Sequence, residues 1–290
     1  MIALGNLPKS KVDRANRPSV VQPLTSTVAD SECKRPRPLI GYPGGKSRVA
    51  CDIIKHFPPH DRYVEPMGGG ASVLLAKRAT KNDVLGDKNP EIVDLYRAAQ
   101  LGVQCKGVIS SQKAERRLIG KKSRDACDIV AKRIGSFAKK GKHPSRAADY
   151  PIRVNWPRKE VVARLKRVTV REGDYKDTME ARDGPRVLHY LDPPYPDGAN
   201  QYGPGLNDVD PREVKDIALQ MRGAVAISYP DKPKIRSLFC ARPSRFRCVR
   251  IPTPVLGTSE GAAGFRNDLL IIKRSYGEPS KERRKRRLGT

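Results

Sequence analysis

The 290-residue chain has no apolar run near the ~20 residues that a helix needs to cross a bilayer. Its first residues, MIALGNLPKSKVDRANRP, hold no apolar core of a secretory leader. A cytoplasmic protein is therefore expected, with no membrane among its partners. The six cysteines, at 33, 51, 105, 127, 240 and 248, form no Cys-x-x-Cys pair and no zinc spacing. No metal is expected, and the six read as reduced thiols. No Pro-Cys dipeptide occurs either, so the nucleophile of an enzyme that methylates cytosine at C5 is not in evidence. Acids are scarce beside bases, 31 Asp and Glu against 58 Lys and Arg. The resulting net charge of +27 favours polyanions, nucleic acid before acidic membrane surfaces.

What the chain does have is an alternating centre between two polar ends. Residues 1–38 are rich in Pro, Ser, Lys and Arg without a sustained period and read as a disordered basic arm. Residues 277–290 read as a disordered tail, with six basic residues between Lys281 and Arg287 against one acid. Between them, RYVEP (62–66), DVLG (83–86), RVTV (167–170), RVLHYL (186–191), AVAIS (224–228) and DLLII (268–272) are strand-like. Helical patterns separate them. Asn89 and Pro90 open one with Ile92, Leu95, Tyr96 and Ala99 on a face. Asp210-Pro211-Arg212-Glu213 opens another as a capping box. Strands alternating with helices predict an α/β sheet covered on both faces. The alternation stops over 101–160. There, residues 104–146 alone carry thirteen Lys or Arg against three acids, which suggests an inserted basic subdomain, mainly helical.

Three stretches carry chemistry. In YVEPMGGGASVLL (63–75) a strand ends on an acid, glycines turn the chain, and a helix begins; Asp87 follows Gly68 by nineteen residues at the end of the next strand. Glycines alone usually mean only a turn. The order strand, turn, helix, strand, acid is that of a Rossmann-like site in which the acid binds a ribose diol. GYPGGKSR (41–48) is a second glycine turn, with Lys46 available for a ligand carboxylate and Tyr42 for stacking. LDPPY (191–195) ends a buried-looking strand with two prolines, which fix the backbone. A base swung out of a helix needs an acceptor for its exocyclic amine and a ring to stack on. Asp192 and the Pro193 carbonyl supply the first and Tyr195 the second.

YPGGKSR, YVEPMGGGASVLL, GDKNPEIVDLYRA, REGDYKDTM and YLDPPY, in this order, resemble the Dam-type (D12 class) DNA adenine-N6 methyltransferases. The resemblance implies a Rossmann-like S-adenosylmethionine-dependent methyltransferase fold. Its catalytic domain would comprise 39–100 and 161–276, with 101–160 as an inserted target-recognition subdomain. It also implies a role for each motif. Tyr42 and Lys46 lie at the S-adenosylmethionine pocket, and Glu65, Pro66, Gly68 and Gly70 wrap the methionine part. Asp87 takes the ribose hydroxyls, and Asp174 and Tyr175 flank the cofactor's adenine. Asp192, which also borders the cofactor, holds the target adenine together with Pro193, Pro194 and Tyr195. Met67 departs from the family's usual phenylalanine. The activity so implied is site-specific methylation of N6 of a flipped-out adenine in double-stranded DNA, in a restriction-modification or related setting. An RNA adenine or cytosine-N4 methyltransferase, or an idle nucleic-acid-binding protein on the same fold, would share much of this pattern.

Overall fold

The computed structural model describes residues 33, 38–42, 44–109, 125–135, 152–195, 209–255 and 264–275. Nearly all of the expected N-terminal arm, most of the basic insertion, the segment 196–208 and the tail lie outside these residues. In chain order the elements begin with α1 (Ala50–Ile54), β1 (Arg62–Glu65), α2 (Ser72–Ala76), β2 (Asn82–Asp87) and α3 (Pro90–Gln100). Then come β3 (Cys105–Ile109), α4 (Ala126–Gly135), β4 (Ile152–Trp156), α5 (Lys159–Leu165) and β5 (Val168–Glu172). The last are α6 (Tyr175–Glu180), β6 (Val187–Leu191), α7 (Pro211–Gln220), β7 (Ala224–Pro230), α8 (Pro233–Cys240), β8 (Phe246–Val255) and β9 (Gly264–Lys273).

Seven strands form one sheet in the order β5-β2-β1-β6-β7-β9-β8. The first five are parallel, with Val64 of β1 opposite both Val84 of β2 and His189 of β6, while β9 runs antiparallel to both of its neighbours. The chain winds from β1 outward through β2 to β5, then returns to start again at β6. The strand order therefore reverses between β1 and β6, and a crevice opens beyond their carboxyl ends. This is the Rossmann-like α/β fold expected.

Local sequence explains most of the elements. All five residues of β6 are buried, as a central parallel strand covered on both faces requires. In α3 the Asn89 side chain accepts from the Glu91 N–H, Pro90 takes the first position, and Ile92, Leu95, Tyr96 and Ala99 are buried. Each fully buried Ile or Leu there contributes about 1.5–3 kcal/mol. The capping box expected at α7 is half made. Asp210 accepts from the Arg212 N–H, but Glu213 turns to Lys176 of α6 at 2.9 Å. Strand β8 escaped the sequence pattern because Pro252 and Pro254 interrupt it. It is the last strand of the sheet, where a missing donor on the open side is tolerated.

The cysteines require a correction. They are not free thiols: Cys33 pairs with Cys51, Cys105 with Cys127 and Cys240 with Cys248. Partners 18, 22 and 8 residues apart follow no metal-binding or redox spacing and are brought together only by the fold. Of the segment expected to be mainly helical, the described residues form a β3–β4 antiparallel ribbon and one helix, α4. These parts are built into the core. Ile129, Val130, Val154 and Trp156 share one buried cluster with Leu95 and Tyr96, and Trp156 Nε1 donates to the Leu39 carbonyl at 2.7 Å. Among the described residues no helix is long and apolar enough to cross a membrane.

Candidate active site

The turn between β1 and α2 is held from three sides. Gly68 N donates to the Gly86 carbonyl at 2.8 Å, Tyr96 Oη donates to the Gly69 carbonyl at 2.9 Å, and Leu39 N donates to the Gly70 carbonyl at 3.1 Å. A methyl group on Gly68 would stand 2.4 Å from Tyr96 Oη and 2.6 Å from Leu85 Cδ1. Gly69 has a φ of +49°, a conformation natural to glycine. These glycines are there because the turn is crowded from behind and strained in its path.

Two acids brace this turn from below. Asp87, closing β2, accepts from Gly69 N at 2.9 Å with one oxygen and from Asn89 N at 2.8 Å with the other. Burial pushes its carboxyl up from the ordinary value, and these N–H groups oppose the shift. Glu65, closing β1, accepts from Tyr63 Oη at 2.7 Å and Leu74 N at 2.9 Å, both through Oε2. Burial raises its pKa to about 8, so Glu65 holds a proton at neutral pH. Its Oε1 has no hydrogen-bond partner among the described residues, and Glu65 lines the cavity in front of the turn.

Asp192 stands one residue past β6. Lys46 Nζ donates to both its oxygens, at 2.5 and 2.7 Å, and to the Gly44 carbonyl at 2.9 Å. Lys46 is only 3 % exposed. Burial disfavours its charge, but Asp192, with Tyr195 and Tyr190, more than offsets this, and the lysine pKa is held well above its ordinary value. Lys46 also lies 5.2 Å from the centre of the Tyr195 ring, which Arg266 of β9 approaches to 5.7 Å and Tyr229 to 6.3 Å. Tyr195 Oη is buried without a partner among the described residues. At the other end of the cavity Asp174 caps α6 through Lys176 N at 3.0 Å, and Tyr175 follows it.

All of this surrounds one cavity of about 310 Å³. Tyr42, Lys46, Glu65, Pro66, Gly68, Gly70, Asp87, Asp174, Tyr175 and Asp192 all line it. So does Pro194, whereas Pro193 and Tyr195 stand outside its wall. Sequence reasoning missed Tyr190, concealed in the apolar run of β6, whose hydroxyl meets Ser228 Oγ at 2.9 Å. It also missed Glu213, which was read only as a helix cap. A third omission is Arg133 of α4, whose guanidinium lies 5.4 Å from the Tyr42 ring centre and 3.7 Å from Glu91. The charge of the lining is unlike that of the chain. Five acids face three lysines, and each lysine is paired: Lys46 with Asp192, Lys176 with Glu213, Lys88 with Asp174. Glu65 and Asp87 remain for a ligand.

Sequence comparison finds a known family in one part of this constellation. Residues 42–123 match the D12 class N6 adenine-specific DNA methyltransferase family. The matched stretch includes the Lys46 turn, the glycine turn and Asp87; the D12-class match ends before Asp174 and Asp192. A curated relative, the retron Ec67 DNA adenine methylase of Escherichia coli, is 28% identical over 72 residues. The alignment spans 25% of this chain and 24% of that protein, about a quarter of each. Among solved structures, a Pyrococcus horikoshii protein (PH1948) assigned as an RNA methyltransferase has a TM-score of 0.38 at 10% identity, covering 81% of this chain and 87% of its own. Precorrin 8w decarboxylase of Methanobacterium thermoautotrophicum reaches 0.35 at 14% identity, covering 80% and 91%. At such scores these likenesses carry no argument beside the strand order itself.

Proposed function

We propose that the protein transfers a methyl group from S-adenosylmethionine to N6 of an adenine swung out of double-stranded DNA. The observation that carries this reading is the Lys46–Asp192 pair. It fixes a carboxylate in the cavity wall just past β6, with the Lys46 ammonium 5.2 Å from the centre of the Tyr195 ring.

The cavity suits the donor chemically. A sulfonium and an ammonium are cationic, and Glu65 and Asp87 are the two lining acids not committed to a lysine. Asp87 sits at the end of β2, where a ribose diol finds a carboxylate in such folds. Tyr42 and Tyr175 offer flat faces, and the bare backbone of Gly68 to Gly70 permits close approach. When bound, S-adenosylmethionine supplies a methyl group activated by positive sulfur. The chain's own work is to hold the acceptor. Asp192 and the Pro193 carbonyl accept hydrogen bonds from the two amine hydrogens, which turns the nitrogen lone pair out of conjugation and toward the cavity. Lys46 keeps Asp192 in place, and the two prolines keep the backbone from relaxing. The proton shed afterwards goes to Asp192 or to water. Alignment of this kind supplies much of the rate.

Expression in a bacterial host free of DNA methylation, followed by sequencing that reports N6-methyladenine with its context, tests the substrate. Modified adenine at one recurring motif is expected. Host DNA without N6-methyladenine, with methyl groups found instead in RNA or on cytosine N4, would replace DNA adenine as the target.

Glu65 provides a second test. Its pKa of about 8 leaves it protonated at pH 7 in the free protein. A cofactor ammonium at Oε1 favours the carboxylate, so binding at pH 7 should release about one proton. Affinity then falls as pH drops below 8, because the proton competes. Calorimetry in two buffers with different heats of protonation measures the release. Glu65→Gln keeps an acceptor for Tyr63 and Leu74 and should bind more weakly with no proton release. Equal heats in both buffers for the wild type would remove Glu65 from the ammonium site.

A further inference from the structure

At the opposite end of the sheet a second concavity of about 630 Å³ opens where β7 begins, bounded by the C-terminal turn of α7, the start of β8 and the end of β9. Its floor is apolar, with Met221, Phe246 and Ile272. Its remaining wall is cationic: Arg222, Arg245, Arg247, Lys273 and Arg274 line it, with no acidic side chain among the described lining residues. It lies far from the methyl-transfer crevice. Strand β7 runs from Ala224 beside this bay to Pro230 beside the Asp192 end, a length of roughly 20 Å at strand rise.

With 58 cationic against 31 acidic residues, some cations must go unpaired. Their placement here is what matters. Elsewhere in the described structure, cations near a cavity or turn find acids, as Lys46 does with Asp192, Lys176 with Glu213 and Arg236 with Asp231. None of the five bay cations forms an ion pair among the described residues. Asp183, the acid nearest Lys273, accepts instead from Arg222 N at 2.7 Å and Gly223 N at 2.9 Å and lies 3.3 Å from His189. Lys273 itself donates to the Met221 and Gly223 carbonyls, so it fixes the floor and leaves the rim arginines to face outward. Arg222, Arg245 and Arg247 are exposed, on two segments that the fold converges, the turn after α7 and the start of β8. Partial burial lowers the Arg247 pKa, and the neighbouring Arg274 charge lowers it further. Like charges on a concave, partly apolar wall focus their field outward. A bound anion would relieve that repulsion.

We infer that this bay is a second phosphate-binding site, remote from the methyl-transfer crevice, which grips the backbone of duplex DNA without reading its sequence. Guanidinium groups are suited to it, since their planar forks match phosphate oxygens two at a time. A duplex held at both ends of the sheet would have to bend round the protein or come from two separate segments. The site thus retains DNA independently of the adenine pocket.

The test uses the full-length chain, basic tail included, with Arg222→Gln, Arg245→Gln and Arg247→Gln combined. The probe is a poly(dG)·poly(dC) duplex, which contains no adenine, so the outcome does not depend on whether the protein methylates. Each lost phosphate contact lowers the slope of log affinity against log salt by about 0.9, so a drop of about 2–3 is expected. Calorimetric affinity for S-adenosylmethionine should stay unchanged. Because Arg247 Nη2 also donates to the His56 carbonyl at 3.4 Å, the Arg222→Gln/Arg245→Gln pair serves as a second variant, with an expected drop of about 2. Wild-type slopes in both variants would overturn the proposal. Loss of tripolyphosphate binding with the DNA slope unchanged would also overturn it, leaving a site for small free polyanions.

Discussion

Asp192→Ala will lose methyl transfer by roughly a thousandfold or more, on the scale of removing a positioned hydrogen-bonding group from a reacting centre. The variant does more than delete an acceptor. Lys46, 3 % exposed, would be left buried with the Gly44 carbonyl as its one remaining hydrogen-bond acceptor among the described residues. Breaking a buried pair from one side costs about 3–5 kcal/mol, so a lower denaturation midpoint is expected as well. Lys46→Met in the same chain separates the two effects. The double variant should regain most of the stability, because no buried charge is stranded, and should remain inactive. Tritium transfer from labelled cofactor reads the activity and urea denaturation reads the fold. Substantial transfer by either variant would sink the assigned role of Asp192.

Tyr195→Ala will be impaired differently. The ring centre lies 5.2 Å from Lys46 Nζ, 5.7 Å from the Arg266 guanidinium and 6.3 Å from the Tyr229 ring, outside the cavity wall. Stacking of one base on an aromatic ring contributes about 1–3 kcal/mol, so its loss should cut transfer by about ten- to a hundredfold at limiting DNA. Cofactor affinity should hardly change. Tyr195→Phe should stay close to wild type, since Tyr195 Oη has no partner among the described residues. A 2-aminopurine at the target position should brighten with wild type and with Tyr195→Phe, and much less with Tyr195→Ala. Equal brightening in all three would show that another group holds the displaced base.

The sequence disclosed the site unevenly, for a physical reason. Glu65, Gly68 and Asp87 belong to one strand-turn-helix-strand unit, so their spatial relation is nearly fixed by spacing along the chain. Lys46 and Asp192 are 146 residues apart, and nothing local shows that one neutralises the other. The lysine was expected to meet a ligand carboxylate and in fact meets the protein's own. The cysteines failed for the same reason, since pairing depends on where the fold brings them. The central parallel strands β6 and β7 were readable because burial on both faces makes them almost continuously apolar. Strand β8 was not, because at a sheet edge composition is less constrained. Arg133 lay in a basic stretch where every cation looks alike, and only its packing against Tyr42 distinguishes it.

That packing bears on how such proteins could diverge. Had 101–160 been a self-contained cassette, a recombination event could exchange it whole and change the target site at a stroke. Instead α4 places Arg133 beside Tyr42 of the cavity wall and ties Lys132 to Glu91 at 2.8 Å, while β4 sends Trp156 under Leu39. Any exchange across 101–160 would therefore have to keep residues 126–135 and 152–156 matched to the core that they pack against.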